Sequence, residues 1–298
     1  MAHLPRTGEH PRHDRIAYVL LAPAMILLGI FVIWPAFYAT YLSLHNWSFY
    51  TPPTFVGLDN FEAVLHDELF WKAVKRGLLF VAMTVPPMMI LSFLFASLAV
   101  SVSQKIATVL KVSIYIPTII STVITSIVFS LIYNYSGGIL NWFLSHFGVG
   151  AIAWIGDPKW ALVAVAVPAV WLGMGLMSLI MVAGMLDIPT EFFESASLDG
   201  ANWWYKTVYI TIPQMKNILL YLLVTGFVTA IQQYELPLVM TGGGPVDSTT
   251  LPNLFIFNHF RNDINVSYSV AAALVMFLVL GSISAIVFKF VNSERSVD

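Results

Sequence analysis

Six long, almost uncharged stretches constrain the fold of this chain more than any other feature of its sequence. Each has about 20 or more residues, the length that a helix needs to cross a bilayer. The stretches are residues 16–44, 78–102, 112–133, 160–184, 218–240 and 268–288. Because helices satisfy their own backbone hydrogen bonds in lipid, and alternating strands of about ten residues are not seen, we predict an all-α polytopic membrane protein with six transmembrane helices.

Composition argues against several other classes of protein. Of the 298 residues, 58% are hydrophobic and 10% are charged, whereas a soluble domain has about 25% charged residues. The net charge of -2 and the lack of any run of Lys or Arg argue against a nucleic-acid partner. The chain has no cysteine, and its seven histidines lack the spacing of a metal site. We therefore expect no catalytic residue and no metal.

The charges between the stretches predict how the chain is oriented. Lys and Arg concentrate on the cytoplasmic side of membrane proteins. The side that would hold both termini has nine of these residues and the other side has five, so we predict cytoplasmic termini. The first stretch exceeds a signal-peptide core of about 7–15 residues, and we expect it to be retained. The predicted parts are a tail over 1–15, a six-helix membrane domain over 16–290 that includes a loop over 185–217, and a tail over 291–298.

The loop over 185–217 is the most informative connecting segment. Pro189 suits the first turn of a helix, and Gly200 lies where a residue with left-handed backbone would end it. Asn202 can cap a second short helix over 203–209, and Pro213 would end that helix before the fifth stretch. The sequence therefore predicts two short helices, joined by a glycine turn, at the cytoplasmic membrane surface.

The first of these helices has the side chains of a docking surface. It combines apolar Phe192, Phe193 and Leu198 with small Ser195 and Ala196, a composition that packs into a groove on a partner. A transporter driven by a cytoplasmic motor needs such a firm contact. An amphipathic helix that lies in the membrane interface without a partner has a similar composition, and these residues alone leave both interpretations open.

The spacing within this loop resembles that of a known family. Glu194-Ser-Ala196 is followed by three residues, Gly200, nine residues and then Ile210-Thr-Ile-Pro213. This arrangement resembles the EAA loop of bacterial ABC importer permeases, which is E-A-A, three residues, G, nine residues and I-x-L-P. Two residues depart mildly from the pattern, Ser195 and Ile212. The resemblance implies that the loop couples a permease to its ATPase through Glu194, Ser195, Ala196, Gly200, Ile210 and Pro213.

Two other segments resemble the carbohydrate-uptake branch of that family, of the maltose and glycerol-phosphate type. They are residues 55–61, Phe-Val-Gly-Leu-Asp-Asn-Phe, and residues 241–245, Thr-Gly-Gly-Gly-Pro. Together they resemble the first permease subunit, although Ser269 follows Tyr268 where the branch often has Gly. The resemblance implies a multi-pass protein of the bacterial inner membrane that forms half of the pathway for a sugar or sugar-like solute.

The same resemblance implies a set of partners. They are a second homologous permease subunit, two ATP-binding subunits, an extracytoplasmic solute-binding protein and the membrane lipid. The sequence has no P-loop, because no Gly-Lys-Ser/Thr follows the glycines at 242–244. We therefore expect ATP and Mg²⁺ on the ATP-binding subunits, and we expect this chain to bind no cofactor and to be no enzyme.

Polar residues inside the predicted spans are candidates for the solute pathway, because they are costly in lipid. The main candidates, near the outer part of the fifth span, are Gln232, Gln233, Tyr234 and Glu235. Amides and a carboxylate can bind sugar hydroxyls, and an aromatic ring can pack against a sugar. Adjacent helix positions face different directions, so all four cannot line one cavity, and bonds to a neighbouring helix are the alternative. Weaker candidates are Tyr133, Asn134 and Trp171.

Two other functions compete with the importer subunit. An ion-driven secondary transporter should have repeats, interrupted helices and several ionisable groups in its spans. Glu235 is the only acidic residue within the predicted spans, which makes this alternative weak. A membrane enzyme would need a convergent acid/base or metal constellation beside a span, and the sequence offers none.

Overall fold

The computed structural model describes residues 11–262 and 265–292. Residues 1–10 and 293–298 of the predicted tails lie outside the described residues. In the described part of the chain, five helices are long and apolar enough to cross a membrane, and a bent pair of helices would make a sixth. The all-α polytopic membrane fold is therefore confirmed.

The helices account for nearly all of the regular structure. In chain order they are α1 (Pro11–Leu28), α2 (Trp34–Ser43), α3 (Asp59–His66), α4 (Glu68–Ser101), α5 (Gln104–Ile119), α6 (Thr122–Ile132), α7 (Ile139–Ser145), α8 (Pro158–Leu186), α9 (Thr190–Leu198), α10 (Trp203–Lys206), α11 (Ile212–Gln214), α12 (Lys216–Ile231), α13 (Glu235–Met240), α14 (Pro252–Asn262) and α15 (Val266–Asn292). Wider π-helical turns, Gly29–Ile33 and Thr207–Thr211, join α1 to α2 and α10 to α11.

The third predicted span differs from the single straight helix expected over 112–133. It consists of α5 and α6, which meet at an angle of 96°. Ile120 and Ser121 between them have extended backbone, with ψ of 135° and 136°. Pro117 lacks the amide hydrogen of a helix, and β-branched Ile119 and Ile120 favour extended backbone, so this segment is where the helix breaks.

Other span boundaries also differ from the prediction. Residues 103–111, between the second and third predicted spans, are largely helical, because α5 already begins at Gln104. The second span begins ten residues early, at Glu68, where Asp67 caps the helix by accepting a hydrogen bond from the amide of Leu69 at 2.7 Å. The fifth span is interrupted at 232–234, between α12 and α13.

A small β-hairpin follows the first span and was not predicted. Strands β1 (His45–Ser48) and β2 (Thr51–Phe55) pair antiparallel, with His45 opposite Phe55. The Ser48 and Thr51 hydroxyls share a hydrogen bond of 2.8 Å across the turn. Two prolines lie in β2, which suits an edge strand. The sequence shows little alternation here, so its hairpin pattern is weak.

The core lies between α4 and α8, which run side by side and bury large side chains along their length. Phe80 of α4 and Val165 of α8 are fully buried in its middle part with Leu236 of α13. Methionines fill the end near α9, where Met181 and Met215 are fully buried. By contrast, none of the most apolar part of Ala17–Ser43 is buried inside the chain.

An asparagine joins the first span, the hairpin and the last span at the end of the bundle opposite α9. The Asn60 amide donates to the backbone carbonyls of Ser43 and His45, both at 2.9 Å. Its Oδ1 accepts from the amide of Asn265 at 3.2 Å, and Asn60 is 5% exposed. We call these four residues the Asn60 clamp. The clamp gives a structural role to Asn60 within the segment 55–61.

Candidate functional site

The predicted coupling loop folds as two short helices around a glycine, as expected. Helix α9 ends at Leu198, and Gly200, two positions later, has a φ of +78°. The amide of Ala201 donates to the carbonyl of Ala196 at 2.9 Å, and the amide of Gly200 donates to the carbonyl of Ser197 at 3.1 Å. This pair of bonds is a Schellman motif. It requires a residue that tolerates left-handed backbone four positions after Ala196, which explains that spacing in physical terms.

The second helix of the loop is capped by the predicted residue. The Asn202 side chain accepts from the amide of Tyr205 at 3.1 Å, and Lys206 donates back to the Ser197 hydroxyl of α9 at 2.7 Å. Pro213 does not end this helix, because it occupies the first turn of α11, and the break comes at Met215. Proline is tolerated in a first turn, where no amide partner is needed.

One side of the loop packs on the bundle and the other is exposed. Ile188 is buried in the methionine-rich core, and Phe193 and Ile210 pack against it. Leu198 is 90% exposed and Phe192 is 48% exposed. The predicted coupling residues with exposed side chains or backbone are Glu194, Ser195, Gly200 and Pro213. The loop therefore presents an apolar ridge on a backbone that its own hydrogen bonds hold rigid.

A cavity of about 370 Å³ lies in the middle of the bundle, between α4, α5, α6, α8 and α12. Hydroxyl and amide groups line it together with apolar walls. The polar lining residues are Thr84, Thr118, Thr122, Tyr221, Thr225, Thr229 and Gln233. No charged side chain lines this cavity among the described residues. We call it the threonine cavity, and its groups suit a neutral solute that is rich in hydroxyls.

The structure divides the cluster predicted on the fifth span. Gln233 lines the threonine cavity, and its Oε1 accepts from the backbone amide of Glu235 at 3.1 Å. Gln232 and Tyr234 instead line a separate cleft beside α14 and α15. Glu235 starts α13 and lines neither of these two cavities. The expectation that four adjacent residues cannot share one cavity therefore agrees with their placement.

The weaker candidates lie away from the threonine cavity. Tyr133 is 4% exposed and packs in the core, with its ring 5.8 Å from that of Phe129 and 6.1 Å from that of Trp154. Trp171 also packs on Phe129, at 5.8 Å. Asn134 is in the turn after α6 and accepts from the amide of Ser136 at 3.0 Å. A contact of any of them with solute stays a prediction.

Sequence reasoning missed the threonines. Thr84, Thr118 and Thr225 each donate to a backbone carbonyl, at 2.7, 3.3 and 2.8 Å, and a hydroxyl that donates in this way still has acceptor capacity. Threonine is common in spans for the same reason, since it satisfies itself locally. The signal that could have found them is the spacing of Thr225 and Thr229, four residues apart on one helix face.

The family pattern described as "Binding-protein-dependent transport system inner membrane component" matches residues 66–296. The chain belongs to this family. It is therefore a membrane-embedded permease subunit rather than an enzyme, and this membership favours the predicted importer over the ion-driven transporter.

Named relatives of this permease belong to transport systems. It is 29% identical over 284 residues to the sulfoquinovosyl glycerol transport system permease protein SmoG of Agrobacterium fabrum, which covers 94% of this chain and 92% of the relative. It is 31% identical over 253 residues to the trehalose/maltose transport system permease protein MalF of Thermococcus litoralis. This alignment covers 84% of this chain and 85% of the relative. Each alignment therefore covers most of this permease and most of the relative.

A solved structure shares the fold. A chain of a bacterial ABC transporter involved in the import of the acidic polysaccharide alginate superimposes with a TM-score of 0.80 and 21% identity. The superposition covers 96% of this permease and 98% of that chain. The bent third span and the interrupted fifth span therefore occur within a fold that a transporter subunit is known to adopt.

Proposed function

We propose that this permease forms half of the pathway of an ATP-driven importer for a sugar or sugar-like solute, with the loop over 185–217 in the cytoplasm as the contact to its ATPase. The observation that carries the proposal is the combination of an exposed ridge at one end of the bundle with a hydroxyl-lined cavity in its middle. The first transmits force, and the second provides groups for a polar solute.

The ATPase contact is argued from exposure and rigidity. A leucine side chain that is 90% exposed contributes nothing to the core of its own chain, and apolar side chains on a short helix are the usual anchors of helix-in-groove docking. Phe193 and Ile210 tie the same loop to the methionine-rich core. A displacement of Leu198 by a partner would thus be passed to α8 and α12 through packed side chains.

The solute class is argued from the threonine cavity. Hydroxyls and amides can exchange hydrogen bonds with sugar hydroxyls, while Phe80 and Leu172 offer apolar walls. The names of SmoG and MalF refer to transport of sulfoquinovosyl glycerol and of trehalose and maltose, which supports a carbohydrate. The polar groups that line the cavity among the described residues include no cation and no carboxylate, so the part of the solute that passes here is expected to be neutral.

The proposed partners follow from the family and the exposed surfaces. We expect a second homologous permease subunit, two ATP-binding subunits that carry ATP and Mg²⁺, and an extracytoplasmic solute-binding protein. The alginate transporter has also been solved with a periplasmic protein that binds an alginate pentasaccharide. Both termini would then lie in the cytoplasm, because the loop and the termini share one side when six spans are crossed.

Co-purification from membranes with a co-expressed ATPase subunit tests the proposal. We expect wild type to retain the ATPase and Leu198→Asp and Gly200→Asp to lose it. The first variant removes the exposed anchor, and the second strains the left-handed turn, where φ is +78°. Leu58→Asp is the matched control, because Leu58 is 68% exposed at the other end of the bundle.

The outcomes separate the candidate functions. Loss of the ATPase in both loop variants, with retention in the control, supports the coupling role. If wild type never retains an ATPase, or if all three variants retain it, the loop is no docking element. Uptake that continues after ATP depletion would then favour the ion-driven alternative.

A further inference from the structure

A third cavity, of about 510 Å³, lies at the end of the bundle opposite α9 and has two cationic side chains in its lining. It lies between residues 76–83 of α4, the first two turns of α8 and the loop after α13, and it is partly open. Arg76, Lys159 and Ser248 supply its polar groups. The rest of the lining is apolar and consists of Leu79, Met83, Pro158, Leu162, Val163 and Val246. We call it the basic cavity.

The two cations have no acidic partner among the residues that the structure describes. Neither Arg76 nor Lys159 forms an ion pair or a side-chain hydrogen bond within the described residues, whereas Lys72 pairs with Glu68 at 2.9 Å. The Lys159 Nζ lies 5.5 Å from the centroid of the Trp160 ring, which stabilises it only weakly. Arg76 is half-buried. A half-buried guanidinium without a counter-ion is costly, and an external anion would offset that cost.

The nearby acids do not line the cavity and form no ion pair with its cations within the described residues. The closest along the chain are Asp157 and Asp247, and neither lines it. The Asp157 carboxylate is engaged at the start of α8, where it accepts from the backbone amide of Lys159 at 2.9 Å. Asp247 is exposed in the loop after α13. The described lining therefore has two positive groups and no negative one.

Ser248 offers a further donor. Its Oγ is buried and has no hydrogen-bond partner, which is unusual because buried polar groups are nearly always paired. A change of χ1 to another staggered rotamer would redirect this hydroxyl from the same Cβ, which belongs to a residue of the cavity lining. The hydroxyl could then donate to an anion held by the two cations.

We propose that the basic cavity binds a phosphate-type oxyanion through Arg76 and Lys159, with the Ser248 hydroxyl as a third donor. A guanidinium binds two oxygens of such a group at once, and apolar walls strengthen the attraction by excluding water. Leu79 and Leu162 also line the cavity, and their apolar side chains suit a carbon chain attached to the anion. The anion can come from a phospholipid headgroup or from a soluble phosphate, and both present the same oxygens.

Two binding measurements on the full-length chain in a phosphate-free maltoside detergent distinguish these sources. Titration of inorganic phosphate, followed by ³¹P line broadening, reports the soluble anion. Native mass spectrometry with equal amounts of phosphatidylglycerol and phosphatidylcholine reports a headgroup with net negative charge. The variants are the double change Arg76→Gln with Lys159→Gln, and Lys75→Gln as a control, because Lys75 is exposed at the same end and does not line the cavity.

We expect the double variant to weaken binding of at least one probe tenfold or more, and the control to bind as wild type does. Selective retention of phosphatidylglycerol without phosphate binding would assign the site to lipid, and phosphate binding would assign it to a soluble anion. If wild type binds neither probe, or if the double variant binds as well as wild type, the site does not exist. Lys159→Gln alone, at an exposed position, gives the same test with about a threefold loss if the double variant misfolds.

Discussion

Removal of the Asn60 side-chain amide should loosen the end of the bundle opposite α9. Asn60→Leu keeps the approximate size of the side chain but removes three hydrogen bonds, two donated at 2.9 Å and one accepted at 3.2 Å. Ser43 is fully buried and His45 is 9% exposed, so water does not readily replace the lost donors. At about 1 kcal/mol for each bond, the loss of stability should be about 2–4 kcal/mol.

The change can be read from thermal unfolding of the purified permease in detergent, followed by tryptophan fluorescence. A loss of this size should lower the melting temperature of a chain of 298 residues by about 3–6 °C. Asn46→Leu is the matched control, because Asn46 is exposed on β1 and lies next to His45. We expect this control to melt with wild type.

A second variant distinguishes lost hydrogen bonds from lost packing. Asn60→Asp has the same shape, but it turns a carboxylate oxygen toward the carbonyls of Ser43 and His45 in place of a donor. If hydrogen bonding stabilises the clamp, Asn60→Asp should be at least as destabilising as Asn60→Leu. If Asn60→Asp melts with wild type, or if Asn60→Leu and Asn46→Leu lower the melting temperature equally, our account of the clamp is wrong.

Three further predictions concern packing and the solute pathway. Gly175→Ala should lower the melting temperature by several degrees, because its new methyl group would lie 2.5 Å from a backbone carbonyl of α5; Gly173→Ala, which meets only a flexible methionine side chain, should cost less. Asn141→Leu should shift tryptophan emission to the blue, because an apolar side chain replaces the Asn141 Oδ1, which accepts from the Trp154 indole at 2.9 Å. Thr229→Val should raise the KM for uptake about 3–10-fold by removing one hydrogen-bonding group from the threonine cavity, without lowering the melting temperature.

Much of the fold follows from the sequence, because lipid imposes strict demands on backbone hydrogen bonding. The spans and the Asn202 cap are local signals, and so is the glycine turn at Gly200. The bend at Ile120 was missed, because a hydropathy pattern reports that a segment is apolar and not whether it is straight. Pro86 and Pro87 lie inside an unbroken helix, so a proline alone does not predict a break.

The candidate site was harder to predict than the fold. Its cavity is assembled from five helices that are distant in the sequence, and no local pattern specifies which faces converge. Gln233 was found because an amide is rare in a span, and the threonines were missed because they are not. Arg76 and Lys159 were counted only as charges outside the spans. Both line one cavity, but 82 residues separate them in the sequence, so no local pattern links them.

The break in the third span places a joint in the wall of the threonine cavity. Thr118 lies before Ile120 and Ser121, and Thr122 lies directly after them, yet both line the cavity. Ile120 and Ser121 have extended backbone, and each keeps one bond to a neighbouring helix: the Ile120 amide donates to the Pro117 carbonyl at 3.1 Å, and the Ser121 carbonyl accepts from the Thr125 amide at 3.0 Å. A change in their torsions leaves the other helical hydrogen bonds of α5 and α6 in place. The angle between α5 and α6 can then change while α5 stays packed on α8. A change in this angle would widen or narrow the threonine cavity while every long helix keeps its length and its own hydrogen bonds.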